Sequence, residues 1–104
     1  MNNFAPCAWF AVLTALALPA HANKKLAEKN GCLGCHATAS KLVGPSYQDV
    51  AAKYADQPDA KLKLVLSIRN GGVGAWGQMP MPPQAQLSEA DAKKLADWIL
   101  GGAK

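Results

Sequence analysis

Two thiols and an imidazole stand together at Cys32-Leu33-Gly34-Cys35-His36. Thiols three positions apart can reach the two vinyl groups on one edge of a porphyrin and form thioethers there. The histidine beside the second thiol is then delivered to the iron from one face. The chemistry this spacing serves is covalent attachment of a haem c. With Cys and His each at about 2% abundance, chance produces the pattern in roughly one chain of this length in a thousand. Three other chemistries compete. A thioredoxin-like dithiol wants its C-x-x-C at a helix start after a strand, and no strand is legible nearby. A structural zinc needs four ligands, whereas the chain after residue 22 offers three from Cys and His. A plain disulfide closes too short a loop to stabilise much, and it leaves His36 without a role.

Haem iron has a second axial position. His36 is the only histidine after residue 22, so a second imidazole from the same chain is excluded. The strong-field candidates are Met79 and Met81, both in Trp76-Gly77-Gln78-Met79-Pro80-Met81-Pro82-Pro83. Pro80 and Pro82 flank Met81, fix the local φ angles and remove amide donors. The result is a stiff, extended segment able to hold a thioether against iron. Residues two apart in an extended segment can share a side, so geometry alone leaves both methionines open. The proline frame favours Met81 as ligand and Met79 as packing.

The elements that must position these groups are helical. Residues 23–30 read as a short polar helix ended by Gly31, just before the cysteines. Tyr47, Val50, Ala51 and Tyr54 fall at i, i+3, i+4, i+7 on a helix beginning near Pro45. Pro58 opens a third helix carrying Leu62, Leu64, Val65, Leu66 and Ile68, which stops at Asn70-Gly71-Gly72. Ser88 caps a last helix, with Asp91 at the capping-box position and Leu87 and Ala92 as a staple. Its inner face is Ala92, Leu95, Ala96 and Ile99 with Trp98 alongside, and Gly101-Gly102 ends it. Residues 71–86 are too rich in Gly and Pro for regular helix or a central strand. A loop that long in a small domain is usually functional. No run of alternating apolar residues argues for a sheet.

The chain has 104 residues, enough for one domain. Cys7 to Leu18 is an almost unbroken apolar run, too short to span a bilayer. Pro19 breaks it, and Ala20-His21-Ala22 places small residues at a cleavage site. Residues 1–22 are expected to be a secretory signal peptide, cleaved after Ala22, although no Lys or Arg precedes the apolar run. Residues 23–104 are then the functional domain. A body that small buries a marginal core, and a covalent haem supplies both staple and apolar mass. The formal net charge is +4, which suits steering toward an acidic partner as well as a merely solvated surface. The leader, and the lack of an aromatic-basic array, argue against nucleic acid as partner.

With those motifs assembled, the chain resembles a class I c-type cytochrome of the small bacterial c-551/c-552 type. The likeness rests on Gly31-Cys32-Leu33-Gly34-Cys35-His36, Val43-Gly44-Pro45, Ile68-Arg69-Asn70-Gly71, Trp76-Gly77 and Met79-Pro80-Met81-Pro82-Pro83, in that order. It implies an all-α fold: about four helices wrapped around one covalent haem c, with the first and last helices crossing. It implies thioether bonds at Cys32 and Cys35, and axial ligation of iron by His36 and Met81. It implies that the Pro45 carbonyl accepts the His36 Nδ1 proton, that Trp76 donates to a haem propionate, and that the Gln84 amide lies near the methionine sulfur. The partner surface it implies is the exposed haem edge around Leu33, Leu42, Met79, Pro82 and Pro83. Two positions depart from the pattern. Ala27 stands where many relatives place an aromatic in the helix crossing, and Ser67 where some place a cation near a propionate.

The expected function is outer-sphere electron transfer, with iron cycling between Fe2+ and Fe3+. With both axial positions filled by protein, no site is left for oxygen or peroxide, so the chain is expected not to be an enzyme. It is expected to be a monomer in the bacterial periplasm, soluble rather than membrane-spanning. Its role would be to shuttle electrons in a respiratory chain between partners such as a terminal oxidase, a nitrite reductase or a cytochrome donor. A ligand-binding haem enzyme and a haemless dithiol oxidoreductase are the competing classes.

Overall fold

A computed structural model of the chain describes residues 20–104. The apolar run at 7–18 lies outside the described residues, as does most of the expected signal peptide. Four α-helices are present: α1 (Ala20–Lys29), α2 (Tyr47–Tyr54), α3 (Ala60–Asn70) and α4 (Glu89–Leu100). A single 3₁₀ turn, Cys32–Gly34, follows α1. Helix α1 begins three residues before the expected Asn23, so the expected cleavage point after Ala22 falls within its first turn.

Helix α4 is the hub, and α1, α2 and α3 each pack against it. It starts where Ser88 accepts a hydrogen bond from the Asp91 amide at 3.1 Å, the expected N-cap. Its inner residues Ala92, Leu95, Ala96, Trp98 and Ile99 are buried. Ala27 of α1 is also fully buried, in one core cluster with Ala92 and Ala96. Small side chains therefore fill the α1–α4 packing where an aromatic would need more room. From α2 the core takes Tyr47 and Val50, and from α3 Leu64, Val65 and Ile68. Each fully buried Leu, Ile or Val contributes about 1.5–3 kcal/mol.

One boundary and one periodicity differ from expectation. Pro58 lies in the turn before α3, with Asp59 at the N-cap, because Ala60 N–H first closes onto Gln57 O at 3.2 Å. Leu62 and Leu66 are exposed on the outer face of α3 and take no part in the core.

The larger difference lies in the Gly/Pro segment. No sheet was expected there, yet β1 (Gly72–Gly74) pairs antiparallel with β2 (Gly77–Met81). The hairpin turns at Ala75-Trp76 and carries a register irregularity between Gly72 and Gly74. Its residues are exposed except Met81, which is half-buried. A two-stranded ribbon open on both faces has no inner side, so it leaves no alternation to read, and Pro80 is tolerated because every strand is an edge. Gly71, at the exit from α3, has φ +69°. A Cβ there would run into the backbone of Met81, Pro82 and Pro83, so only glycine lets the two ends of the segment meet.

Ser46 is the one buried polar side chain among the described residues, at 1% exposure. It caps α2 by accepting from the Asp49 amide at 3.1 Å. Replacing it with alanine leaves that amide unpaired beside the core, at a cost of about 1 kcal/mol. For a domain of this size the Ser46→Ala holoprotein should melt about 4–8 °C lower, as followed by far-ultraviolet circular dichroism. An unchanged melting temperature would contradict the cap.

Candidate haem site

The sequence after Gly31 cannot continue α1, and the chain tightens into the Cys32–Gly34 turn. That turn is closed by Cys35 N–H and His36 N–H, which both donate to Cys32 O, at 3.2 and 2.9 Å. The attachment motif therefore sits on a compact turn after a helix. It does not sit at a helix start after a strand, as the dithiol oxidoreductase reading requires.

The loop from His36 to Pro45 is laced to this turn by backbone bonds. Gly44 N–H donates to Cys35 O at 2.8 Å, and Tyr47 N–H to Ala37 O at 2.9 Å. His36 Nδ1 lies 2.8 Å from Pro45 O. A carbonyl can only accept, so Nδ1 carries the proton and donates, leaving Nε2 with its lone pair. Gly44 lies under the imidazole. A Cβ at that position would stand 2.5 Å from His36 Cε1 and 2.8 Å from Nδ1. The Tyr47 ring stacks on the imidazole at 5.5 Å between centroids, with 23° between planes.

These groups open onto a cavity of ≈ 450 Å³. Cys32, Cys35, His36 and Pro45 line it together with Met79, Pro80, Met81 and Pro82 of the Gly/Pro segment. Val50, Leu64, Ile68, Leu95 and Ile99 supply an apolar wall from α2, α3 and α4. Trp76, 41% exposed, also lines it, as does Ser67.

Cys32 and Cys35 are both free thiols, Cys32 half-buried and Cys35 exposed. Burial pushes the Cys32 thiol up; its backbone hydrogen bond opposes this in part, and nearby Cys35 adds to it. Burial also pushes the Tyr47 hydroxyl well above the usual tyrosine range, with Cys32 adding to the effect. Tyr47 thus keeps its proton, yet its Oη is buried without a hydrogen-bond partner among the described residues. An unpaired buried donor costs about 1–3 kcal/mol, so this one marks a cavity built for something more than side chains. Among the described residues, no three His, Cys, Asp or Glu side chains gather as a metal-ion site, which disfavours structural zinc. Two thiols, one imidazole with a fixed tautomer, a thioether and an apolar chamber fit one haem c.

The structure brings Cys32, Cys35, His36, Pro45, Trp76, Met79, Met81 and Pro82 to one cavity. Leu42 is exposed at 48% and Met79 at 67%, while Leu33 is half-buried and Pro83 exposed. Gln84 does not line the cavity. Its Nε2 donates to Pro82 O at 3.0 Å, and its backbone amide donates to Ile68 O at 2.9 Å. Gly44 and Tyr47 were not singled out as site residues from the sequence. Their position beside the proline that accepts from His36 is the signal that could have found them.

The family model for cytochrome c matches residues 20–103. Among curated relatives, the chain is 50% identical over 97 residues to cytochrome c-552 of Nitrosomonas europaea, an alignment covering 89% of this chain and 94% of that one. It is 44% identical to cytochrome c-551 of Pseudomonas aeruginosa, covering 96% and 97%. Among solved structures, the crystal structure of wild-type Nitrosomonas europaea cytochrome c552 superimposes with a TM-score of 0.74 at 53% identity, covering 76% of this chain and 98% of that one. The class 1 cytochrome MtoD from Sideroxydans lithotrophicus superimposes with a TM-score of 0.69 at 30% identity, covering 85% and 100%. A cavity with its thiols, imidazole and thioether in place, on a helical fold shared with these proteins, makes this chain a member of the cytochrome c family, with one covalent haem c as its cofactor.

Proposed function

We propose that this protein is a periplasmic electron carrier, passing single electrons between redox partners in a respiratory chain. The observation that carries the reading is one cavity lined by both thiols, by an imidazole with its proton fixed on Nδ1, and by Met81. Cys32 and Cys35 would hold the haem through thioethers, and His36 Nε2 and the Met81 sulfur would take the two axial positions. Bound there, haem supplies a one-electron Fe2+/Fe3+ couple. His36 is kept from rotating by the Pro45 carbonyl, the bare backbone at Gly44 and the Tyr47 ring. Met81 is held between Pro80 and Pro82, whose rings limit backbone motion. A thioether ligand favours the ferrous state and raises the potential. Two protein ligands leave no open coordination site, which supports a carrier over an enzyme.

The docking surface follows from exposure. Leu42, Met79, Pro82 and Pro83 are exposed and Leu33 is half-exposed, giving an apolar patch suited to brief complexes. The lysines are unequal. Lys61, Lys63, Lys93 and Lys94 pair with Asp97, Asp59, Glu89 and Asp91. Lys24, Lys25, Lys29 and Lys41 make no ion pair among the described residues, and they lie on α1 and on the loop after His36. That charge suits an acidic partner, such as a terminal oxidase, a nitrite reductase or a cytochrome donor. Nucleic acid is not a partner in this reading, and the carrier acts as a monomer. Among the described residues no helix is long and apolar enough to cross a membrane. Periplasmic localisation rests on residues 1–22 acting as a cleaved signal peptide, leaving 23–104 as the carrier domain.

A visible spectrum tests the assignment: low-spin haem c is expected in both oxidation states. High-spin ferric haem would favour a ligand-binding enzyme, and no Soret band would favour a dithiol protein. Two conservative variants then separate the methionines. Met79→Leu should keep the weak far-red sulfur-to-iron band of the ferric protein and barely move the potential. Met81→Leu should abolish the band, lower the potential and admit azide or cyanide much faster. The reverse pattern would overturn the ligand assignment and leave the carrier reading standing.

Steering makes a kinetic prediction. Screening acts over about 8 Å at physiological ionic strength, so stopped-flow association with an acidic redox partner should slow as salt is added. A salt-independent rate would mean that the lysines are merely solvated.

A further inference from the structure

The hairpin that carries Trp76, Met79 and Met81 forms one wall of the cavity. Strand β1 is wholly exposed, and only Met81 of β2 is half-buried. Among the described residues, one hydrogen bond joins hairpin residues 72–81 to a helix. Lys53 Nζ, from the last turn of α2, donates to Ala75 O at 2.6 Å. The same ammonium stands 4.3 Å from the centroid of the Trp76 ring. One cation therefore grips both residues of the turn, the carbonyl of one and the ring face of the other. Among the described residues Lys53 makes no ion pair with a carboxylate, which leaves its charge to the turn.

We propose that Lys53 is a positioning residue: it latches the Ala75-Trp76 turn to α2 and so keeps the Met81 strand closed on the cavity. The consequence for Met81 rests on its assignment as the distal ligand. Helix α2 is a firm anchor, because Tyr47 and Val50 are buried in the core and Ser46 caps it. Strand β2 runs directly from the latched turn to Met81. Releasing the turn frees the far end of a short ribbon whose other end is fixed at Gly71. The population of open hairpin then rises, and with it the time the thioether spends away from the iron.

The test uses the holoprotein with Lys53→Met, which keeps the length and removes the charge, and Lys53→Arg, which can donate to the carbonyl and stack on the indole. Two quantities are read: amide exchange along 72–81, and the rate at which cyanide binds the ferric protein. Losing one exposed hydrogen bond and one cation–π contact should speed both by about fivefold in Lys53→Met. Amides of α4 should be unchanged, and Lys53→Arg should return near the parent values. Equal rates in all three proteins would overturn the latch, as would a speed-up spread evenly over hairpin and α4, which is general loss of stability. Amide exchange needs no axial assignment. Faster hairpin exchange with unchanged cyanide binding would leave the latch standing and overturn its consequence at Met81.

Discussion

The 2.8 Å hydrogen bond from His36 Nδ1 to Pro45 O is the constraint around which the site is arranged. It decides the tautomer, and the tautomer decides which nitrogen can face a metal. Four consecutive residues serve it. Gly44 leaves the space the ring occupies, Pro45 supplies the acceptor, Ser46 starts α2 immediately afterwards, and Tyr47 stacks its ring on the imidazole. Proline suits the acceptor position because its φ is fixed, which limits how far the carbonyl can swing. The two backbone bonds Gly44 N–H to Cys35 O and Tyr47 N–H to Ala37 O then hold this stretch against the cysteine turn. His36 is thus held in one orientation by its partner nine residues later.

This arrangement also explains where the core lies. A domain of this size cannot both bury a large protein core and enclose a cavity of ≈ 450 Å³. Helix α4 resolves the conflict by facing both ways. Ala92 and Ala96 join Ala27 in the packing with α1, while Leu95 and Ile99 line the cavity. Trp98 lies against Tyr47 at 5.1 Å between ring centroids, so the helix also braces the ring that stacks on His36. The protein core and the cofactor chamber are in this sense one apolar body, and the Tyr47 hydroxyl, buried without a hydrogen-bond partner among the described residues, lies in the wall they share.

Much of this was legible because the determinants are local. The attachment motif, the glycine stop before it, the cap at Ser88, the helix start near Pro45, and the inner faces of α2 and α4 all depend on neighbours within one or two turns. The hairpin was not legible, since a ribbon exposed on both faces needs no apolar alternation and its pairing is set by glycines that also read as loop. The solvent-facing Leu62 and Leu66 misled for the opposite reason: their type says core, while the helix phase turns them outward. Lys53 and Ala75 stand 22 residues apart, and nothing in the residues between them records the contact. The Gln84 amide met Pro82 O, two residues away. A side chain that can satisfy itself locally gives no sequence sign of where it points.

The two proposed axial ligands are therefore held by different physics. On the histidine side, short-range backbone bonds, a buried cap at Ser46 and stacking on the buried Tyr47 ring tie the imidazole to the edge of the core. On the methionine side, stiffness is supplied by Pro80 and Pro82 along the chain, while among the described residues the Lys53 Nζ bond to Ala75 O ties the hairpin to a helix. Rigidity along a segment and anchorage of that segment are separate properties. A rigid strand moves as a unit, so Met81, if it is the ligand as proposed, would leave or stay together with Met79 and Trp76. In the proposed carrier the same ribbon forms part of the docking patch, so a partner that covers it would restrict the hairpin, and complex formation and retention of a Met81 ligand would reinforce one another.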